Sequence, residues 1–146
     1  MTTKATAEQR AFWNFEQAGW KQAAGGYQAH IASLTCQSVE PLLDAAGARH
    51  GIGLLDVCTG PGHAAAAAAE RGAQASGIDF SLPMIELASR RFPQARFLVG
   101  DAESLPFRDG SFGAVVSNFG LLHLSRPEQF LREAHRVLRS GGRVAF

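Results

Sequence analysis

No apolar run in this sequence approaches the roughly 20 residues needed to cross a bilayer. Cysteine is scarce. Cys36 and Cys58 are the only two, with no C-x-x-C and no nearby histidine pair at metal-ligand spacing, which argues against a disulfide scaffold or a zinc site and for a reducing compartment. An excess of charge of one sign is also missing. Fourteen basic against thirteen acidic residues leave a net charge of +1, and Arg90-Arg91 is the only adjacent basic pair. Composition therefore offers no electrostatic footprint for nucleic acid or an anionic membrane. The segment Met1–Arg10 is polar and lacks the apolar centre of a signal peptide, so the expected location is the cytoplasm.

What is present is ordinary for a globular chain. A hydrophobic fraction of 46% lies well above the disordered range, and 146 residues suit one domain with one core. Two helical segments come first. Over Ala5–Ala24, Phe12, Phe15 and Trp20 give an apolar face with Trp13 partly outside it. After Gly25-Gly26 a second helix is expected over Tyr27–Ala46, with Ile31, Leu34, Leu42 and Leu43 inward, an interruption at Pro41 and termination at Gly47.

Past Gly47 the period changes to short apolar strands alternating with helices. Strands are expected over Ile52–Val57, Ala75–Asp79, Arg96–Val99 and Gly113–Ser117, with helices over Ala64–Arg71, Ser81–Arg91 (Ser81 as N-cap) and Pro127–Leu138. A turn at Ser140–Gly142 then leads into a fifth strand from Arg143 to Phe146. Such alternation means a parallel sheet covered on both faces, and right-handed crossovers make it a doubly wound, Rossmann-like α/β fold. The reading divides the chain into an N-terminal helical cap, 1–50, and a nucleotide-binding domain, 51–146. A last strand with nothing to cover it suggests an incomplete domain, or pairing with a second copy as a homodimer.

Three signals end expected strands. Asp56-Val-Cys58-Thr59-Gly60-Pro-Gly62 joins the first strand to a helix; its glycines let backbone approach a ligand, and the helix N-terminus suits an anion, while Asp56 can accept from an ammonium group. Gly77-Ile-Asp79-Phe80-Ser81 places an acid 23 residues beyond Asp56, well set to hold a ribose diol, with Phe80 beside an adenine ring or in the core. In Gly100-Asp101-Ala102, an acid directly after the third strand can accept from an exocyclic amine. Ligands of such sheets bind outside the carboxyl ends of the strands.

Together these residues resemble the small-molecule branch of class I S-adenosylmethionine-dependent methyltransferases over roughly two thirds of the chain. The family's D-x-G-x-G-x-G loop is matched from Asp56 to Gly62, its second-strand acid by Asp79, and its G-D-A-x-x-L-P-F stretch by Gly100–Phe107. Phe112–His123 and Arg132–Arg143 match its fourth strand and the approach to its fifth. The resemblance implies a sheet of order 3-2-1-4-5, S-adenosylmethionine as cofactor and S-adenosylhomocysteine as product. It assigns Asp79 to the ribose, Asp101 and the Ala102 backbone to adenine, Met84 beside it, the Cys58–Gly62 loop and Asn118 to the methionine portion, and Tyr27 to the methionine carboxylate. Cys58 departs from the family by standing where a glycine is usual; binding survives there if no positive φ is needed.

Methyl transfer depends chiefly on holding donor and acceptor in line. His123 is the only candidate base, with packing or solvent exposure the commoner fate of such a residue. Trp13, Phe15 and Trp20 serve either as core or as an acceptor lid, with core packing weighed first. The expected function is methyl transfer to a small molecule. The alternatives are a fragment that binds the cofactor without catalysis and, less favoured because G-x-G-x-x-G is missing, an NAD-dependent oxidoreductase.

Overall fold

A computed structural model describes residues 5–23, 26 and 31–146. The period change after Gly47 is where its sheet begins. Five strands, β1 (Gly53–Val57), β2 (Gln74–Asp79), β3 (Arg96–Val99), β4 (Phe112–Val116) and β5 (Leu138–Ala145), pair in parallel in the order β3-β2-β1-β4-β5. Around them lie α1 (Ala7–Ala23), α2 (Ala32–Thr35), α3 (Val39–Ala46), α4 (His63–Glu70), α5 (Leu82–Arg91) and α6 (Pro127–Val137), with 3-10 turns at Cys36–Ser38 and Gly120–His123.

Strand alternation explains why both faces are covered. Leu54 turns to one face, where it packs with Leu42, Leu43 and Ala46 of α3 and the alanines of α4. Leu55 and Val57 turn to the other, meeting Ile78, Val115 and the α6 residues Phe130, Ala134 and Val137. Each large aliphatic or aromatic side chain so buried contributes about 1.5–3 kcal/mol. Ala64, Ala65, Ala66 and Ala68 are buried, so the alanine run lets α4 lie close on the sheet. Among the described residues, no helix is long and apolar enough to cross a membrane.

Five local expectations change. The second helical segment breaks at Cys36–Ser38 rather than at Pro41, which is the third residue of α3, where a missing N–H leaves no bond unmade. Leu34 faces solvent. No residue of α1 is buried, and Phe15 is 72% exposed; the side of α1 turned to the domain carries Trp13, Glu16 and Trp20 instead. Ser81 stands at the N-cap of α5, yet its hydroxyl has no partner, and its N–H donates to Asp79 Oδ1 (2.9 Å). Finally, β5 starts straight after α6 at Leu138. The expected Ser140–Gly142 turn is an irregularity within the strand, where pairing jumps from Phe112–Leu138 to Ala114–Arg143.

Candidate functional site

The carboxyl ends of β1, β2, β3 and β4 open onto one cavity of about 280 Å³. Asp56, Cys58, Thr59 and Gly60 reach it from the β1 loop, Asp79, Phe80 and Met84 from the β2 side, Asp101 and Ala102 from beyond β3, and Asn118 and His123 from beyond β4. Gly62 does not line it. That glycine sits at φ +89° against the other elements, where a Cβ would meet Phe97 Cζ at 2.8 Å and Ala88 Cβ at 2.9 Å. Tyr27 lies outside the described residues.

The β1 loop is braced by carboxylates. Asp79 Oδ2 accepts from the Gly60 N–H (2.9 Å) while Oδ1 holds Ser81, so one buried side chain ties the β1 loop to the start of α5. Asp56 Oδ2 accepts from Thr59 Oγ1 (2.6 Å) and from the Ala65 N–H (3.1 Å); its Oδ1 is buried with no partner. Around Gly60, the position of a Cβ is open space. Asp101 Oδ1 accepts from the Glu103 N–H (2.8 Å), and Glu103 accepts from Ser125 Oγ, the Arg126 N–H and Arg126 Nε. Asn118 is occupied at both ends of its amide: Oδ1 accepts from Ser38 Oγ (2.8 Å) and Nδ2 donates to the Thr35 carbonyl (2.9 Å). It bolts the N-terminal segment to the end of β4.

Cys58 corrects an expectation. It adopts φ +58°, so the position does use the left-handed region that the family's glycine supplies without strain. Phe119, at φ +61°, is the other non-glycine residue there among those described, and both border the cavity. Burial and the nearby Asp79 and Asp56 push the Cys58 thiol well above its usual range, which is the opposite of a nucleophile's environment.

Comparison with known proteins decides the family. A sequence profile described as a methyltransferase domain matches residues 55–146. The chain belongs to the methyltransferase domain family. It is 41% identical over 103 residues to the demethylmenaquinone methyltransferase of Renibacterium salmoninarum, covering 70% of this chain and 44% of that protein. It is 35% identical over 129 residues to the malonyl-[acyl-carrier protein] O-methyltransferase of Pseudescherichia vulneris, covering 88% of this chain and 51% of the other. Among solved structures, a chain of the complex between the Haloferax volcanii Trm112 methyltransferase activator and a methyltransferase superposes with a TM-score of 0.80 at 27% identity, covering 86% of this chain and 57% of that one. This methyltransferase domain thus spans about half the length of the curated relatives it matches.

Three acids of the domain's site sit in surroundings that disfavour charge. Burial raises Asp56 from 3.8 to about 7, against the opposing bonds from Thr59 and Ala65. Burial also raises Asp79 and Asp101. An acid whose folded value is raised contributes stability that is fully present below its unfolded value and is lost as pH climbs through the folded one. For Asp56 that window runs from about pH 4 to 7 and spans roughly 4 kcal/mol. Asp56→Asn, which keeps the shape and stays neutral, is expected to be less sensitive to pH than the wild type in urea unfolding across this window. Parallel pH profiles for the two proteins would refute the assignment.

One contact was not legible in the sequence. Glu16 Oε2 accepts from Trp20 Nε1 (3.0 Å) and bonds His123 Nδ1 (2.8 Å), while the Trp20 and His123 rings meet edge to face at 4.9 Å. Trp13 meets Phe80 in the same way at 5.8 Å. Both tryptophans line the cavity, so α1 roofs the site instead of completing the core.

Proposed function

We propose that this chain binds S-adenosylmethionine in the cavity and transfers its methyl group to a small-molecule acceptor. The observation that carries this reading is the Asp79 brace: the acid ending β2 holds the Gly60 N–H beside a stretch of backbone whose missing Cβ leaves open space. The surrounding groups fit the cofactor. The Asp79 carboxylate, bonded by the Gly60, Ser81 and Phe80 N–H groups, keeps acceptor capacity for a ribose hydroxyl. Asp101 and the Ala102 backbone suit the adenine edge, and the buried Met84 packs beside the ring. Asp56, with one unpartnered oxygen, lies by Thr59 and Gly60, where the methionine portion belongs. The cavity is close to the lower end of the usual range for ligand sites, about 300–1,000 Å³.

When bound, the cofactor supplies an electrophilic methyl group activated by a positively charged sulfur. The chain's part is to orient it and exclude water, the roof of α1 serving the second task. The two curated relatives named above carry their acceptors, demethylmenaquinone and malonyl-[acyl-carrier protein], in their names, and this supports a small-molecule acceptor here. We also propose a division into an N-terminal helical segment, 1–50, and a domain at 51–146, with α1 capping the site and α3 packed on the sheet, in a cytoplasmic setting that keeps both free cysteines reduced. The outer edge of β5 is the proposed contact for a second copy; light scattering giving twice the chain mass supports it, and a monomer excludes it.

Calorimetric titration with S-adenosylhomocysteine, with NAD as control, tests the central claim. Micromolar binding of the first and none of the second is the expected result. Failure of S-adenosylhomocysteine to bind withdraws the proposal, and preference for NAD replaces it with the oxidoreductase reading.

A further inference from the structure

The cofactor reading leaves part of the cavity wall unused. That part is apolar and aromatic, with Trp13, Trp20, Phe119, Leu122 and Leu124, and it includes His123. Among the described residues, no lysine or arginine lines the cavity, so an acceptor bearing a carboxylate or phosphate would find no counter-charge. A cationic acceptor fares little better. Glu16 is engaged by Trp20 and His123, and Glu103 by Ser125 and Arg126, while Asp56, Asp79 and Asp101 line the part of the cavity assigned to the cofactor. What the wall offers is a flat apolar surface beside one imidazole.

That imidazole is held in a definite way. Its Nδ1 bonds Glu16 Oε2 at 2.8 Å, and the Trp20 ring packs edge-on against it. A carboxylate partner makes Nδ1 the protonated nitrogen of the neutral ring and leaves Nε2 with a lone pair. Nε2 has no hydrogen-bond partner among the described residues. The other imidazole in the cavity wall, His63, lies edge-on to Phe92, and burial together with the nearby Arg91 disfavours its charged form.

We propose that His123, oriented by Glu16, is the general base for an uncharged aromatic hydroxyl acceptor. The inference rests on the cofactor reading above and adds to it the acceptor class and the group that takes its proton. As a lone pair of the hydroxyl oxygen forms a bond to the methyl carbon, the carbon–sulfur bond breaks and its electron pair stays on sulfur. The hydroxyl proton passes to His123 Nε2. The imidazolium so formed keeps its Nδ1–H on the Glu16 carboxylate. Glu16 is a positioning residue, reaching the site from α1 across 107 positions of sequence. The acids that face the imidazole are Glu16 from α1 and, through space, Asp79 at the end of β2.

The test needs no turnover. The chain saturated with S-adenosylhomocysteine is titrated calorimetrically with 1-naphthol, 1-methoxynaphthalene and 1-naphthylmethylamine. Binding of 1-naphthol at least tenfold tighter than its methyl ether is expected, and His123→Leu, titrated at saturating S-adenosylhomocysteine, should erase that preference. Equal binding of naphthol and ether, tighter binding of the amine, or a preference that survives in His123→Leu overturns the proposal. In ¹⁵N NMR of the wild type, neutral His123 should carry its proton on Nδ1, and Glu16→Gln should lose that single-tautomer preference. A proton on Nε2 in the wild type rules the base out even if every variant folds poorly. If S-adenosylhomocysteine itself does not bind, the cofactor reading falls first; if it binds and naphthol shows no preference, only the base and acceptor class fall.

Discussion

Replacing Asp79 by alanine is expected to weaken S-adenosylhomocysteine binding at least a hundredfold in calorimetry. Two effects add. The carboxylate spans the Gly60 and Ser81 N–H groups at 2.9 Å each, so its loss frees the β1 loop from the start of α5 and leaves two donors unpaired. Hydrogen bonds to a charged group are worth about 1.5–3 kcal/mol apiece. The same side chain is the proposed acceptor for the ribose hydroxyls, so direct contact disappears with the brace. Asp79→Asn retains one acceptor oxygen and the shape of the brace, and should fall between, at about a tenfold loss. Because the alanine variant also loses structural bonds, its unfolding midpoint must be measured alongside. A variant that is destabilised yet binds as tightly as the wild type would show that Asp79 is only structural.

Among substitutions, a large stability loss is expected from Gly62→Ala, about 3 kcal/mol in urea unfolding. An L-residue in the left-handed region costs about 1–2 kcal/mol, and forcing a methyl into a filled space adds about 1–3 kcal/mol. Both apply at Gly62, with φ +89° and a Cβ position 2.8–2.9 Å from Phe97 and Ala88. The Phe97 ring can shift, whereas the Ala88 methyl moves only with the α5 backbone. Gly60→Ala is the matched control. It shares the positive φ (+53°) but meets nothing within 4 Å, so about 1 kcal/mol is expected. Equal losses at the two positions would mean that conformation, not space, sets the cost at Gly62.

Where the sequence was legible, local pattern and global fold agreed. Strand β3 fell at Arg96–Val99 as expected, because Pro93 and Gly100 bracket an apolar run too short for a helix. The strand order came from the family resemblance and not from periodicity, since pairing is non-local. The failures have physical causes of the same kind. Phe12 and Phe15 outweighed Glu16 in reading α1, because an isolated acid does not count toward an inward face until its partner is known. That partner, His123, lies 107 positions away. Cys58 hid its positive φ because side-chain identity reports φ only weakly. Gly141, at φ +74°, signalled a turn but serves an irregularity inside β5, since the strand on its far side continues along β4. The acids Asp56, Asp79 and Asp101 were visible as residues, but not the bonds that already occupy them.

The absence of any buried residue from α1 has a kinetic consequence. Ring edges and the one Glu16–His123 bond tie it to the domain, so its amides should exchange hydrogen at a far lower opening free energy than those of β1 or β4. A roof that opens more readily than the walls beneath it offers an entrance. In the proposed reaction, cofactor and acceptor would pass under the raised helix, and its closing would desolvate both together.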